Sequence, residues 1–196
     1  MYLVAGLGNP GEEYALTAHN LGFLTVDRLA ERQGIRINRK DSRALVGVGE
    51  IDAHPVMLAK PQTFMNLSGG SLALLMEKHS ISLDRLIVVY DELDLPWRSL
   101  RIKPKGSSAG HKGMKSVIAG LHTDEVVRVR LGIHPGHPVA DGADFVLAPL
   151  GRAQRKELDE FIGFAADAVC SIIAEGVAKA MTKFNRRAPG LNTEEA

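Results

Sequence analysis

The chain is poor in several things that would have settled its class at once. It has one cysteine in 196 residues, Cys170, so no disulfide can form within it and the reading is a reducing, cytoplasmic setting. Cys170 falls in the apolar helical run FAADAVCSIIAEG, where a thiol packs as a small hydrophobe. No stretch approaches the ~18 apolar residues of a membrane span. The opening MYLVAGLG has neither the basic segment nor the long apolar run of a secretory leader. Aromatic residues are only 5% of the chain, which leaves the core to aliphatic side chains and alanine. The formal net charge is +1, so overall charge does not recruit nucleic acid, and any such surface must be local. What remains is ordinary for a globular protein, at 45% hydrophobic and 24% charged, with length enough for one domain and a sizeable core.

Apolar runs and punctuation alternate along the chain. Residues 2–8 read as a buried strand. Residues 21–34 carry Phe23, Val26 and Leu29 at helical spacing and stop on Gly34. Residues 43–51 and 54–61 read as a hairpin across the tight turn Asp52-Ala53. A helix is predicted over 63–79 after its glycine pair, and 84–96 opens as the most apolar strand, hence a central one. A short basic strand over 100–106, a helix over 110–121 and strands over 126–133 and 143–150 follow. Residues 152 to about 186 are helical, broken near Gly176. This predicts an α/β fold: a single domain, three-layer α/β/α, with a mixed, mostly parallel twisted sheet. The domain spans 1–187, and 188–196 form a flexible C-terminal tail.

Two motifs point to chemistries that the surrounding residues do not support. Gly6-x-Gly8-x-x-Gly11 has the spacing of a dinucleotide-binding loop. Pro10 removes one of the N–H groups that would cradle a pyrophosphate, and the convincing helix begins only near Leu21. Asp27, the candidate ribose ligand, falls within that helix. The second motif, GSSAG at 106–110, matches a nucleophile elbow with Ser108 as the nucleophile, and Asp124 with His134 or His137 as its partners. The strand before it is short and charged where an elbow wants a buried central one.

A third pattern is more coherent, because sites in open α/β sheets form at the carboxyl ends of strands. Asn9, Asn66 and the group Asp91, Glu92 and Asp94 end or follow apolar strands. His19 follows the first loop, and His111 and Lys112 follow the Gly/Ser loop. Together they offer a base, an acid and amide donors. His54, His79, His122, His134 and His137 show no matching carboxylate or metal-ligand spacing.

The segments GLGNPGEEYALTAHNLG, KPQTFMNLSG, VVYDELDLP and GSSAGHKGMKS, in this order over residues 6–116, closely resemble bacterial peptidyl-tRNA hydrolases. VRLGIHPG at 129–136 and the C-terminal helical pattern extend the resemblance to nearly the whole chain. The resemblance implies a monomeric cytoplasmic enzyme without metal or cofactor. Its substrate is peptidyl-tRNA, bound through the acceptor stem and 3′ CCA end together with the peptide. It implies His19 as the catalytic base, Asp91 as its supporting carboxylate and Asn9 as the residue that helps tell blocked from free aminoacyl ends. Tyr14, Phe64 and Asn66 match substrate-contacting positions, with Met65, His111 and Lys112 in the same binding set. Arg101, Lys103 and Arg130 match positions that contact tRNA phosphate. Lys112 departs from the family, which often has Asn there; a lysine donates but cannot accept. Tyr90 stands where His is frequent.

The implied chemistry is physically reasonable. A neutral imidazole can take a proton from water near pH 7, and a carboxylate on its other nitrogen fixes the tautomer. Arg101, Lys103 and Lys105 alternate at period two, as do Arg128 and Arg130, so each set shares one face of a strand suited to phosphate. The alternative for that face is a solvated edge strand whose charges block aggregation. Lys183, Arg186 and Arg187 form a second basic group. Two other functional readings stand beside the hydrolase: a serine esterase using Ser108, and a non-catalytic RNA-binding module.

Overall fold

The computed structural model describes residues 1–185, so the tail 188–196 and Arg186 and Arg187 lie outside the described residues. Seven strands form one mixed sheet: β1 (Tyr2–Gly6), β2 (Arg39–Asp41), β3 (Ala44–Ile51), β4 (His54–Pro61), β5 (Leu86–Pro96), β6 (Leu100–Lys103) and β7 (Val127–His134). Their order is β2-β3-β4-β1-β5-β7-β6. The inner strands β4, β1, β5 and β7 run parallel, while β2, β3 and β6 add antiparallel edges. The helices are α1 (Leu21–Gln33), α2 (Ser68–Lys78), α3 (Lys112–Leu121), α4 (Gly142–Leu147), α5 (Arg152–Glu175) and α6 (Val177–Phe184).

Alternation along the inner strands sends side chains to two cores. Val4, Ile87, Val89, Val129 and Leu131 meet Leu21, Val26 and Leu29 of α1 and Phe161, Ala165 and Val169 of α5. Leu3, Ala5, Met57 and Val88 face the other way, onto Leu72 and Leu75 of α2 and Met114 and Val117 of α3. Each such Val, Leu, Ile or Met side chain, fully buried, stabilises the fold by roughly 1.5–3 kcal/mol. Both faces of the inner strands are therefore apolar, as a parallel sheet requires. The first glycines serve this packing rather than a nucleotide. A Cβ on Gly22 would lie 2.3 Å from the Val89 carbonyl oxygen, and one on Gly6 would lie 2.1 Å from the Gly22 carbonyl oxygen. Helix α1 thus sits against the backbone of β1 and β5. It begins ten residues after Gly11, beyond two short 3-10 turns, Glu12–Tyr14 and Ala18–Asn20.

Most predicted elements are present. Gly34 ends α1 in the left-handed conformation, φ 64°, and Gly176 separates α5 from α6. Asp52 and Ala53 close the β3–β4 hairpin with φ of 52° and 63°, the two positive values of a type I′ turn. Two elements differ from expectation. Strand β2, of sequence RKD, is too short and polar to show a pattern. Residues 143–150, predicted as a strand, instead contain α4. Asp141 caps it by accepting hydrogen bonds at Oδ1 from the Ala143 N–H (2.9 Å) and the Asp144 N–H (3.2 Å). Only Pro149 joins strand-like pairing, as an isolated bridge to Thr17. Among the described residues no helix is long and apolar enough to cross a membrane.

Candidate active site

Three segments, far apart in sequence, meet at the carboxyl ends of the inner strands. Strand β5 delivers Asp91, only 1% exposed. The 3-10 turn before α1 delivers His19, 8% exposed. The residue preceding α3 is His111. The His19 Nδ1–H donates to Asp91 Oδ2 at 2.8 Å, with Oδ1 at 3.0 Å. His111 Nε2–H donates to Asp91 Oδ1 at 2.8 Å. Its Nδ1 accepts the Met114 N–H at 3.1 Å, which caps α3. The backbone bond assigns the tautomer: Nδ1 is the acceptor, so Nε2 carries the proton. Burial alone would push the Asp91 carboxyl up, but the facing imidazoles of His111 and His19 outweigh it and hold the group well below the usual carboxylate range. Ionised Asp91 then accepts from both rings. The proton on His19 Nδ1 leaves its Nε2 with a lone pair, and among the described residues nothing hydrogen-bonds that nitrogen.

The two ring nitrogens and the carboxylate lie within 4.8 Å of one another, a spacing at which three ligands could meet one ion. The His111 tautomer opposes it. A neutral imidazole bound to a metal through Nε2 needs its proton on Nδ1, where the Met114 N–H already points. The arrangement fits a hydrogen-bond network better than a metal centre.

Asn9 is fixed just as closely. Its N–H donates to Asn20 Oδ1 (2.8 Å) and its carbonyl accepts from Asn20 Nδ2 (2.9 Å). Its own Oδ1 accepts the Met65 N–H at 3.1 Å. With Oδ1 occupied, Asn9 offers the cleft its Nδ2 donor. Asn20, 3% exposed, was not singled out in the sequence; its only signal was its place beside His19, before the helix.

A cleft of about 780 Å³ opens on these groups. Of the sequence-predicted set, Asn9, Tyr14, His19, Phe64, Met65, Asn66, Asp91, His111 and Lys112 line it together. Phe64 stands at its mouth, 73% exposed. Leu93 of β5 and Val146 and Leu147 of α4 add an apolar wall, which the strand expected over 143–150 does not foresee. Tyr90 is buried, its ring 4.8 Å from that of His111, and burial pushes its phenol pKa up.

The basic residues divide. On edge strand β6, Arg101 lies opposite Arg130 of β7, and Lys103 opposite Arg128. Arg101 is part-exposed and Lys103 exposed. Arg130 gives Nη2 (3.1 Å) and Nε (3.2 Å) to Glu92 Oε2, which relieves the repulsion expected of facing arginines. Arg128 departs from the expected phosphate face: it is 1% exposed and spends its donors on backbone carbonyls. Period-two spacing places it on the right side of the strand, but the chain around Ser107 and Asp124 covers it.

Other expectations are corrected too. His79 does have a carboxylate partner: its Nε2 lies 2.9 Å from Asp41 Oδ2, beside a Lys78–Asp41 ion pair at 2.9 Å. Hydrogen bonds from Lys78 and His79 hold Asp41 well below the usual carboxylate range. None of the three lines the cleft. Ser108 follows the edge strand β6 rather than a central one, and its carbonyl accepts the His111 N–H at 3.0 Å. Its hydroxyl bonds no histidine among the described residues. Cys170 is half-buried against the core, and burial pushes its thiol pKa up.

Comparison with known proteins gives the family. The family model described as peptidyl-tRNA hydrolase matches residues 3–192. A Solibacter usitatus protein named peptidyl-tRNA hydrolase is 75% identical over 196 residues, covering all of both chains. A Koribacter versatilis protein of the same name is 47% identical over 188 residues, 95% of this chain and 94% of that one. The crystal structure of peptidyl-tRNA hydrolase from Acinetobacter baumannii superposes with a TM-score of 0.89 at 31% identity, covering 96% of each chain. The chain belongs to the peptidyl-tRNA hydrolase family.

Proposed function

We propose that the cleft hydrolyses the ester joining a peptide to the 3′-terminal ribose of tRNA, with His19 as general base, so recycling tRNA from peptidyl-tRNA dropped by stalled ribosomes. The observation that carries this reading is the orientation of His19: Nδ1 is held by Asp91, and Nε2 carries a lone pair in a residue that lines the cleft. Water gives its proton to Nε2 while its oxygen attacks the ester carbonyl carbon. The tetrahedral oxyanion forms within reach of amide donors, for which Asn9 Nδ2 and Asn66 are the candidates. The bond from carbon to ribose oxygen then breaks, and the leaving oxygen takes the proton back from Nε2. The peptide acid, which gives its remaining proton to solvent to become the carboxylate, and tRNA with free hydroxyls result. A general base contributes about 10²–10⁴-fold, and positioning supplies the rest.

Selectivity follows from the same hydrogen bonds. Asn9 presents a donor, which a carbonyl of the blocked peptide can satisfy. A free aminoacyl end brings an ammonium group, and donor then meets donor. The apolar wall of Phe64, Leu93, Val146 and Leu147 suits peptide side chains. Tyr14, Met65, His111 and Lys112 complete the substrate surface, and Arg101, Lys103 and Arg130 steady tRNA phosphates. The family resemblance supports a monomer acting in the cytoplasm, where translation occurs.

The test is peptide release from N-acetyl-aminoacyl-tRNA, beside the same tRNA with a free amino group, for wild type and His19→Ala in EDTA. Cleavage of the blocked substrate alone, reduced at least about 10²-fold in the variant, is expected. Equal cleavage by the variant would remove His19 from the mechanism. Loss of wild-type activity in EDTA would bring back the metal reading. No cleavage by wild type would leave RNA binding without catalysis, and labelling of Ser108 by a serine-directed phosphonate would favour the esterase.

A further inference from the structure

Arg128 is the largest fully buried side chain in the described protein, and no carboxylate pairs with it among the described residues. Its guanidinium is held by neutral oxygens: Nη1 donates to the Ser107 carbonyl (2.8 Å), Nη2 to the Asp124 carbonyl (2.7 Å) and Nε to the Val126 carbonyl (3.1 Å). A buried charge without a counter-ion is costly, so a purely space-filling role would be better served by an apolar side chain. What this arginine does is tie β7 to the loop between β6 and α3.

That loop needs an anchor. Gly106, Ala109 and Gly110 all have positive φ, of 146°, 48° and 81°, a conformation with much backbone freedom to lose. Ser107 lies four residues before His111, and Gly106 N–H also donates to the Asp124 carbonyl at 3.1 Å. A second connection runs through side chains. Tyr90 and Arg128 lie on the paired strands β5 and β7, where the guanidinium charge acts on the Tyr90 phenol, and the Tyr90 ring packs on the His111 ring at 4.8 Å. Both connections converge on the imidazole that donates to Asp91.

We infer that Arg128 is a positioning residue of the active site, which holds His111 against Asp91 through the 104–111 loop and through Tyr90. This rests on the reading of His19 and Asp91 as the catalytic pair. While His111 donates to Asp91, the carboxylate shares its charge between two rings. When that bond loosens, Asp91 stabilises the His19 imidazolium more strongly, and the acidic limb of kcat/KM moves to higher pH. At the same time the carboxylate loses its second tether and kcat falls.

The test is a double-mutant cycle on N-acetyl-aminoacyl-tRNA with Arg128→Lys, His111→Ala and the pair, each checked for folding by its thermal melt. Arg128→Lys keeps the charge but not the three-way geometry. It is expected to lower kcat about tenfold and move the acidic limb up in the same direction as His111→Ala. The double variant is expected to be no slower than His111→Ala alone. Multiplying losses, or a lowered melting temperature with unchanged kinetics and pH profile, would overturn the proposal. If Arg128→Lys does not fold, Tyr90→Phe keeps the ring on His111 and removes the hydroxyl. A smaller upward shift that vanishes in the His111→Ala background is then expected, and an unshifted profile overturns the proposal. His19→Ala reports separately on the catalytic pair: full activity there would fail the underlying reading, while its inactivity with an additive cycle would fail this one alone.

Discussion

At the scale of single residues, function turns on which atom of each side chain is already spoken for. Asn9 is the clearest case. Met65 N–H occupies its Oδ1, so the donor end is the one that the proposed mechanism turns to the substrate. Asn9→Asp keeps the acceptor for Met65 and replaces the donor with a second acceptor. Its kcat/KM on N-acetyl-aminoacyl-tRNA is expected to fall about 10–100-fold, in line with one lost transition-state donor or somewhat less. Its preference for the blocked over the free aminoacyl end is expected to collapse. Preserved preference would move the discrimination elsewhere. The residues of this set could be nominated from strand ends and from family resemblance. The pairing of His19 with Asp91 comes from the resemblance and not from spacing, since the two are 72 positions apart, and neither source says that His111 shares the same carboxylate. Arg128 shows the same limit. Period two gives its side of the strand, but burial depends on a loop that arrives from elsewhere in the chain.

At the scale of elements, short pieces shape the cleft. Helix α4 has six residues, too few to hold itself together without its cap and its packing. Losing an N-cap aspartate typically costs about 1 kcal/mol. Asp141→Ala is therefore expected to fray α4 and withdraw Val146 and Leu147 from the cleft wall. KM for a peptidyl substrate should rise several-fold with kcat little changed; an unchanged KM would mean that the wall does not touch peptide. This is also the element that pattern reading misses. ADFVLAPL is a short, almost continuous apolar run that passes for a buried strand, and the deciding signal is the Asp141–Gly142 pair just before it. Strand β2 escaped for the opposite reason, since three polar residues carry no period. Longer elements were legible because hydrophobic pattern and stop signal agreed, as at Gly34 and Gly176.

At the scale of the whole molecule, a chain of net charge +1 must concentrate its positive charge to hold a polyanion. The structure leaves Arg101 and Lys103 on an edge strand and engages Arg130 with Glu92. The slope of log(kcat/KM) against log salt should therefore flatten by about two units in Arg101→Ala/Lys103→Ala. Arg130→Ala should flatten it by less than one, because phosphate must compete with Glu92 for that guanidinium. Equal slopes for wild type and the double variant would leave β6 as a charged edge that merely resists pairing.

All three scales meet at one carboxylate between two imidazoles, and Asp91→Asn tests it most directly. The amide nitrogen would donate toward a ring, forcing His19 to accept at Nδ1 and to carry its proton on Nε2, where it cannot serve as a base. The measurement is the single-turnover rate of N-acetyl-aminoacyl-tRNA cleavage by Asp91→Asn against wild type, with folding confirmed by thermal melt. A loss of about 10³–10⁴-fold in a folded variant is the expected result. A rate within tenfold of wild type would contradict the account, because the Asp91 carboxylate would then not be what orients the base.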